Sequence, residues 1–305
     1  MFTPVTFFAP SGFTGILDTY SGAVGAWSLR KLRNAYAGAA IQVTRTSDSA
    51  TQDIGFVGED LDTSALTSFI GANTGVISIW YDQSGNGDNM TQGTQANMPT
   101  IVSSGTLITQ GGLPAARFDG SNDALTATNN NPFTYTGDVS VIATIYKSAT
   151  SYNTYESILS AGATGNSTNN NSKMMVFTFP NAPSASPKPT IGTDIWKPSG
   201  VQINATVSTS TRYIASWHVT NWSSHRFLTL PTIRLNGTDQ TVITYGTSNP
   251  TALNTAAMKM GVLDEILAPS YWNGDIQEVI AWDSYENSNR VGIENNVNTY
   301  WGVFP

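Results

Sequence analysis

The chain contains no cysteine. That excludes a disulfide framework, thiolate metal sites and a cysteine nucleophile together. Charge is scarce as well: 11% of the 305 residues are charged, against about 25% in an ordinary soluble domain. The net charge of −7 argues against a nucleic-acid partner, because a phosphate backbone is bound by clustered lysine and arginine. Only Arg30/Lys31/Arg33 and His225/Arg226 form tight basic groups. No apolar run approaches the ~18 residues a membrane helix needs, so no membrane span is expected. Residues 1–13 lack the basic start and continuous apolar stretch of a secretory leader.

What is plentiful is uncharged polarity and aromatic surface. Thr, Ser, Asn and Gln must make the exterior polar, a composition that suits strands and their turns. Eight Trp, twelve Tyr and twelve Phe supply a large core, each burying roughly 150–250 Å². The pattern fits an all-β sandwich in one domain. Residues 1–25, rich in Pro, Gly and aromatics, read as an arm for docking or oligomerisation, and residues 26–305 as a single sandwich with an elaborated N-terminal part.

Residues 26–36 could form a short helix and 63–70 have helical spacing, whereas 76–81 (VISIWY) read as a buried strand. From residue 113 the chain becomes a meander, with VSVIATIYK at 139–147 as a central strand. Asn236-Gly237 marks a hairpin, and residues 287–300 read as a closing helix.

Two loops carry oxygen-rich side chains. Asp82, Gln83, Ser84 and Asn86 lie among glycines, and Asp119 and Asp123 flank Gly-Ser-Asn. Calcium is the one ion such spacing could take, but both loops read more simply as structural turns held by Asp and Ser side chains. No metal or other cofactor is expected, since His218 and His225 lack a third clustered ligand. Trp222, between Asn221 and His225, suits stacking on a sugar face, with Trp272 and Trp196 as weaker candidates. The equal alternative for Trp222 is a plug at the sandwich end or a subunit contact.

Two resemblances follow from ordered motifs. RFDGSNDALTA from Arg117, then VSVIATIY, TIRLNG and GDIQEVIAWDS with a helix ending in YWG resemble the concanavalin A-like (laminin-G-like) module, which implies a jelly-roll sandwich over residues 113–302. SLRKLRNAYAGAAIQVTRTSD from Ser28, then TQDIGF and ISIWYDQSGNGDNMTQ are similar to the catalytic domain of the arabinofuranosidase B family. The same series resembles modules of tailed-phage virion proteins.

The enzyme resemblance implies a nucleophilic Glu in an Asp-x-Glu-Asn context and an acid/base Asp near the C-terminus. The chain departs from that pattern. Its middle region offers Glu156 in TYESI and Asp194 in GTDIW, and the counterpart of the acid/base is Asp264, with Glu265 beside it, in MGVLDEI. The family's site also carries cysteines, which are absent here. The expectation is therefore a non-enzymatic protein of the virion surface (capsid decoration, head fibre or tail adhesin), made in a host cytoplasm. It would bind other virion proteins and its own copies as a homo-oligomer, with host glycans held by Asn221, Trp222, His225 and Trp272. The alternative is a glycoside hydrolase of the arabinofuranosidase B type.

Overall fold

A computed structural model describes residues 12–129, 133, 138–148, 156–161, 174–179, 190–191, 201–203, 208–219, 222–223, 226–227, 232–244, 257–263 and 269–305. The protein is an all-β jelly-roll sandwich, and every strand pairing among the described residues is antiparallel.

The longest strand, Asn273–Trp282, organises one sheet. One edge takes Val139–Lys147 along nearly its whole length. The other edge is shared by two shorter strands: Ala23–Ser28 covers its second half and Ala116–Asp119 its first. Val139–Lys147 pairs in turn with Thr211–Val219, and that strand with Thr232–Leu235. Burial on both faces explains why the central strands are nearly continuous in apolar residues rather than alternating. Ile142, Ile145, Ile214, Val279 and Ile280 are all buried.

A second group of strands, Ile41–Arg45, Thr51–Ile54 and Gly75–Trp80, pairs side by side and is joined through Thr100–Ser103 to Ala116–Asp119. Six tryptophans (Trp27, Trp80, Trp217, Trp272, Trp282 and Trp301) are fully buried in one shared core.

Residues 26–36, expected to be helical, are not. Ala26 and Trp27 belong to the strand Ala23–Ser28. Pairing with the long strand satisfies its backbone, and both of its faces are buried, so tertiary packing overrides local spacing. The arm expected over residues 1–25 divides. Residues 1–11 lie outside the described residues, but Ile16, Leu17 and Ala23 sit in the main core, so the body of the sandwich begins before residue 26. Thr63–Ile70 is a helix, N-capped by Asp62 accepting from Ala65 N. Asn236 and Gly237 both adopt positive φ, as a two-residue hairpin turn requires.

The closing helix runs Arg290–Trp301 and ends at Gly302 in the left-handed region. It buries Ile293, Val297 and Trp301. It also buries Glu294, which accepts 2.9 Å bonds from Arg234 Nε and one from Ser216 Oγ. A buried carboxylate with no cation would be costly, so this pairing lets a polar helix lie on the sheet.

Candidate active site

The acidic residues decide where hydrolytic chemistry could sit. Arg30 is buried and holds Glu278 at 2.7 Å and Glu59 at 3.1 Å. Glu278 also accepts from Ser28 Oγ and Trp301 Nε1. Asp275 is gripped by Arg117 and Gln110, Asp239 by Arg234 and Asp60 by the Tyr300 hydroxyl. These groups tie strands to one another.

The loop from Asp82 is organised in the same spirit. Its carboxylate accepts five hydrogen bonds, from Ala26 N, Ser84 N, Ser84 Oγ, Gly87 N and Asp88 N. Gln83 is fully buried, accepting from Leu32 N and donating to the carbonyls of Ser28 and Arg30. Ser84 Oγ accepts from Asn86 N, and Asn86 Nδ2 reaches the carbonyls of Ala23 and Val24. With its lone pairs taken by N–H and O–H donors, Asp82 is a loop anchor. Gly85 and Gly87 supply the positive φ values the turn needs.

Asp119 likewise collects Ser121 N and Asn122 N, while Asp123 accepts from Asp119 N. Burial, reinforced by the Asp119 charge, pushes the Asp123 carboxyl up to about 7.

At the rim beside this second loop lies a buried ion pair. Lys147 ends the central strand and Glu156 begins the strand Glu156–Ala161. Their charged atoms are 2.7 Å apart. Lys147 Nζ also donates to Asn273 O at 2.8 Å, and Glu156 accepts from Asn273 N at 2.9 Å. The ammonium lies 5.0 Å from the centre of the Trp272 ring. Burial pulls the Lys147 ammonium below the usual lysine range, and Glu156 opposes that shift. Glu156 is 2% exposed, which removes it as a group that could reach a substrate carbon.

Strand Glu156–Ala161 runs beside a short hairpin, in which Val262 pairs with Tyr271 and Leu263 with Ser270. Ile158 O accepts from Gly261 N, and Ser160 Oγ donates to Val262 O. Asp264 and Glu265 follow Leu263 directly in the sequence and lie outside the described residues, as does Asp194.

The expected sugar contacts fare unequally. Trp222–Ser223 pairs with Arg226–Phe227 in a small hairpin, while Asn221, His225 and Trp196 lie outside the described residues. Trp272 is fully buried and has no exposed face on which a sugar could stack. The filled core between the strands takes up its ring.

The sequence reading passed over Lys147 and the burial of His218. The signal for Lys147 was a lone charged residue at the end of a nine-residue strand. His218, 2% exposed, lies edge-on to Tyr285. Burial, with Arg290 and Arg234 nearby, lowers its imidazole to about 3.

Comparison with known proteins finds arabinofuranosidase likenesses in both sequence and fold. The family model described as "Alpha-L-arabinofuranosidase B, catalytic" matches residues 18–110. A probable alpha-L-arabinofuranosidase B of Aspergillus flavus is 42% identical over 85 residues, covering 26% of this chain and 17% of that protein. Among solved structures, an arabinofuranosidase complexed with arabinofuranosyl-alpha-1,2-xylobiose overlays with a TM-score of 0.66 at 19% identity, covering 93% of this chain and 64% of the other. A GH54 arabinofuranosidase soaked with a cyclic sulfate inhibitor gives 0.63 at 17% identity, covering 93% and 65%. The overlays show a shared fold, and the chain spans a little under two thirds of those structures.

The expectation of a non-enzymatic virion surface protein is thereby overturned. The matching family model is that of a catalytic domain, and the relatives named here are glycoside hydrolases. The expectation went wrong because missing carboxylates were sought by local motif. A carboxylate pair is set by distance across a fold, which local sequence context does not fix.

Proposed function

We propose that this chain is a glycoside hydrolase that releases arabinofuranosyl groups. The observation that carries the reading is the match of residues 18–110 to the arabinofuranosidase B catalytic-domain model, with 42% identity over 85 residues to a probable alpha-L-arabinofuranosidase B beside it. A retaining enzyme needs two carboxyl groups about 5–5.5 Å apart. One attacks the anomeric carbon as the other protonates the departing oxygen. The second then takes a proton from the water that releases the sugar.

Elimination narrows the choice. All acidic residues except Asp194, Asp264 and Glu265 fall among the described residues. Those examined above bind cations, loop amides or backbone groups of the scaffold. Glu156, the other acid in the middle region, is buried on Lys147. The proposed acid/base is Asp264, the counterpart that the family resemblance gives, with Glu265 its neighbour, and the proposed nucleophile is Asp194, the other acid of the middle region. Asn221, Trp222 and His225 are proposed to contact the sugar chain.

A chromogenic aryl arabinofuranoside tests the assignment. The protein should turn it over, and Asp264→Asn and Asp194→Asn should each lower kcat on the order of 10⁴-fold with the circular dichroism unchanged. Release no faster than in buffer would sink the reading. A fully active Asp194→Asn enzyme would place the nucleophile elsewhere.

A further inference from the structure

We infer that the buried Lys147–Glu156 pair positions the acid/base, by clamping the hairpin from which Asp264 and Glu265 emerge. The inference rests on the glycosidase reading above and deepens it.

Five contacts converge on that hairpin's base. The segment has two strands, Val262–Leu263 and Ser270–Tyr271. At its base Trp272 N donates to Gly261 O. The next residue, Asn273, has both of its backbone groups taken by the ion pair: its N–H by Glu156 and its carbonyl by Lys147. On the other strand, Gly261 N donates to Ile158 O, and Val262 O accepts from Ser160 Oγ, both from the strand that Glu156 begins. The acidic partner thus heads the strand that braces one side of the hairpin and also binds the residue that leaves the other side.

The pair is too buried to touch substrate, with side-chain exposures of 7% and 3%. Its charges matter through geometry. Bonds from a charged donor or acceptor are shorter and stronger than neutral ones, and in a dry site they resist rearrangement. Stacking the ammonium against Trp272 further fixes the lysine head. The charged neighbours across this rim are Asp119 and Asp123, on the loop whose Gly120 lies against the Asn273 side chain, and the Arg117–Asp275 pair two residues further along. None of them contacts Lys147 or Glu156 in place of its partner.

The test removes both charges at once. Breaking one side would strand a buried ion and risk unfolding, so the double variant Lys147→Met/Glu156→Gln is the main probe. Far-UV circular dichroism checks that it folds. Two measurements on the full chain then decide: the pH profile of kcat on an aryl arabinofuranoside, and hydrogen exchange across residues 257–273. In the double variant kcat should fall about 100-fold with KM little changed, since an ångström of misplacement costs about that much. The limb of the profile that reports the acid/base should move. Exchange across 257–273 should quicken while Thr211–Val219 stays protected. An active wild type whose kcat and pH profile the double variant shares would overturn the clamp, as would unchanged exchange in the hairpin. A wild type without turnover would overturn the glycosidase reading itself, and the positioning role with it.

Discussion

The stretch from residue 18 to 110 and the rim around residues 261–273 make opposite use of polar side chains. In the first, the most engaged groups are locked inward: Asp82 serves five donors, Gln83 three backbone groups, and Arg30 two carboxylates. In the second, the locked pair Lys147–Glu156 is tied through Asn273 to the base of a short hairpin. The first region is also the one that the arabinofuranosidase B catalytic-domain model matches. Similarity is thus highest where side chains build the scaffold, and it fades where catalytic groups are proposed to sit. A buried network tolerates few substitutes, because each lost partner leaves an unsatisfied group behind. A rim loop can be re-armed from a neighbouring position.

That contrast predicts a large effect on stability without an effect on chemistry. Asp82→Ala would orphan several buried amides at once, each costing roughly 1–3 kcal/mol, less whatever water repairs. Urea denaturation should show a loss of about 4 kcal/mol, while kcat per folded molecule stays that of the wild type. A stable but inactive Asp82→Ala protein would break the comparison, because it would place chemistry in the N-terminal loop.

Much of the fold was legible in the sequence, and the reasons are local. The nine-residue strand at Val139–Lys147, the helix Thr63–Ile70 and the Asn236-Gly237 turn each carry their own signal in spacing or turn chemistry. Ala23–Ser28 was misread because its conformation is set by a partner some 250 residues away in sequence. The site was less legible for the same reason. Nothing near Glu156 in sequence announces Lys147, and nothing near either announces Asn273. Only the sheet brings these three together. Trp272 illustrates the limit of composition, since a tryptophan beside Asn and Tyr suggested a sugar platform and proved to be core.

A smaller effect should come from His218, on the sheet rather than at either loop. Its folded imidazole lies at about 3, below the ordinary value of 6.5. The native state therefore holds it neutral, while the unfolded chain protonates it below 6.5. Its contribution is present above that pH and is lost as the pH falls toward 3. The expected loss between pH 7 and pH 5 is about 2 kcal/mol. Carboxylates titrate in the same range, so the measurement is a difference: denaturation free energies of wild type and His218→Phe at both pH values. The variant should flatten the dependence by about that amount, and identical slopes would show that Arg234 and Arg290 do not face a buried neutral ring.

The smallest effect is expected at the short hairpin of Trp222–Ser223 and Arg226–Phe227, and it separates substrate holding from catalysis. A sugar ring stacked on an indole gains apolar contact, while neighbouring amide and imidazole groups can satisfy its hydroxyls. Asn221 and His225, near Trp222 in sequence, are the groups proposed for that role. Such a contact is made about equally in the ground state and the transition state, so losing it should raise KM and leave kcat alone. For Trp222→Ala the rise should be about tenfold, the equivalent of roughly 1.4 kcal/mol. Trp222→Phe, which keeps an aromatic face, should recover most of it. Assays with an arabinose-decorated oligosaccharide should show a larger change than assays with a small aryl glycoside, because only the former has sugar units beyond the cleaved bond. If Trp222→Ala instead lowers kcat at unchanged KM, the hairpin belongs with the catalytic rim and the division between holding and chemistry must be redrawn. If neither constant moves, Trp222 does not meet the substrate, and the subunit contact that its sequence equally allowed is the reading to pursue by measuring the protein's oligomeric state.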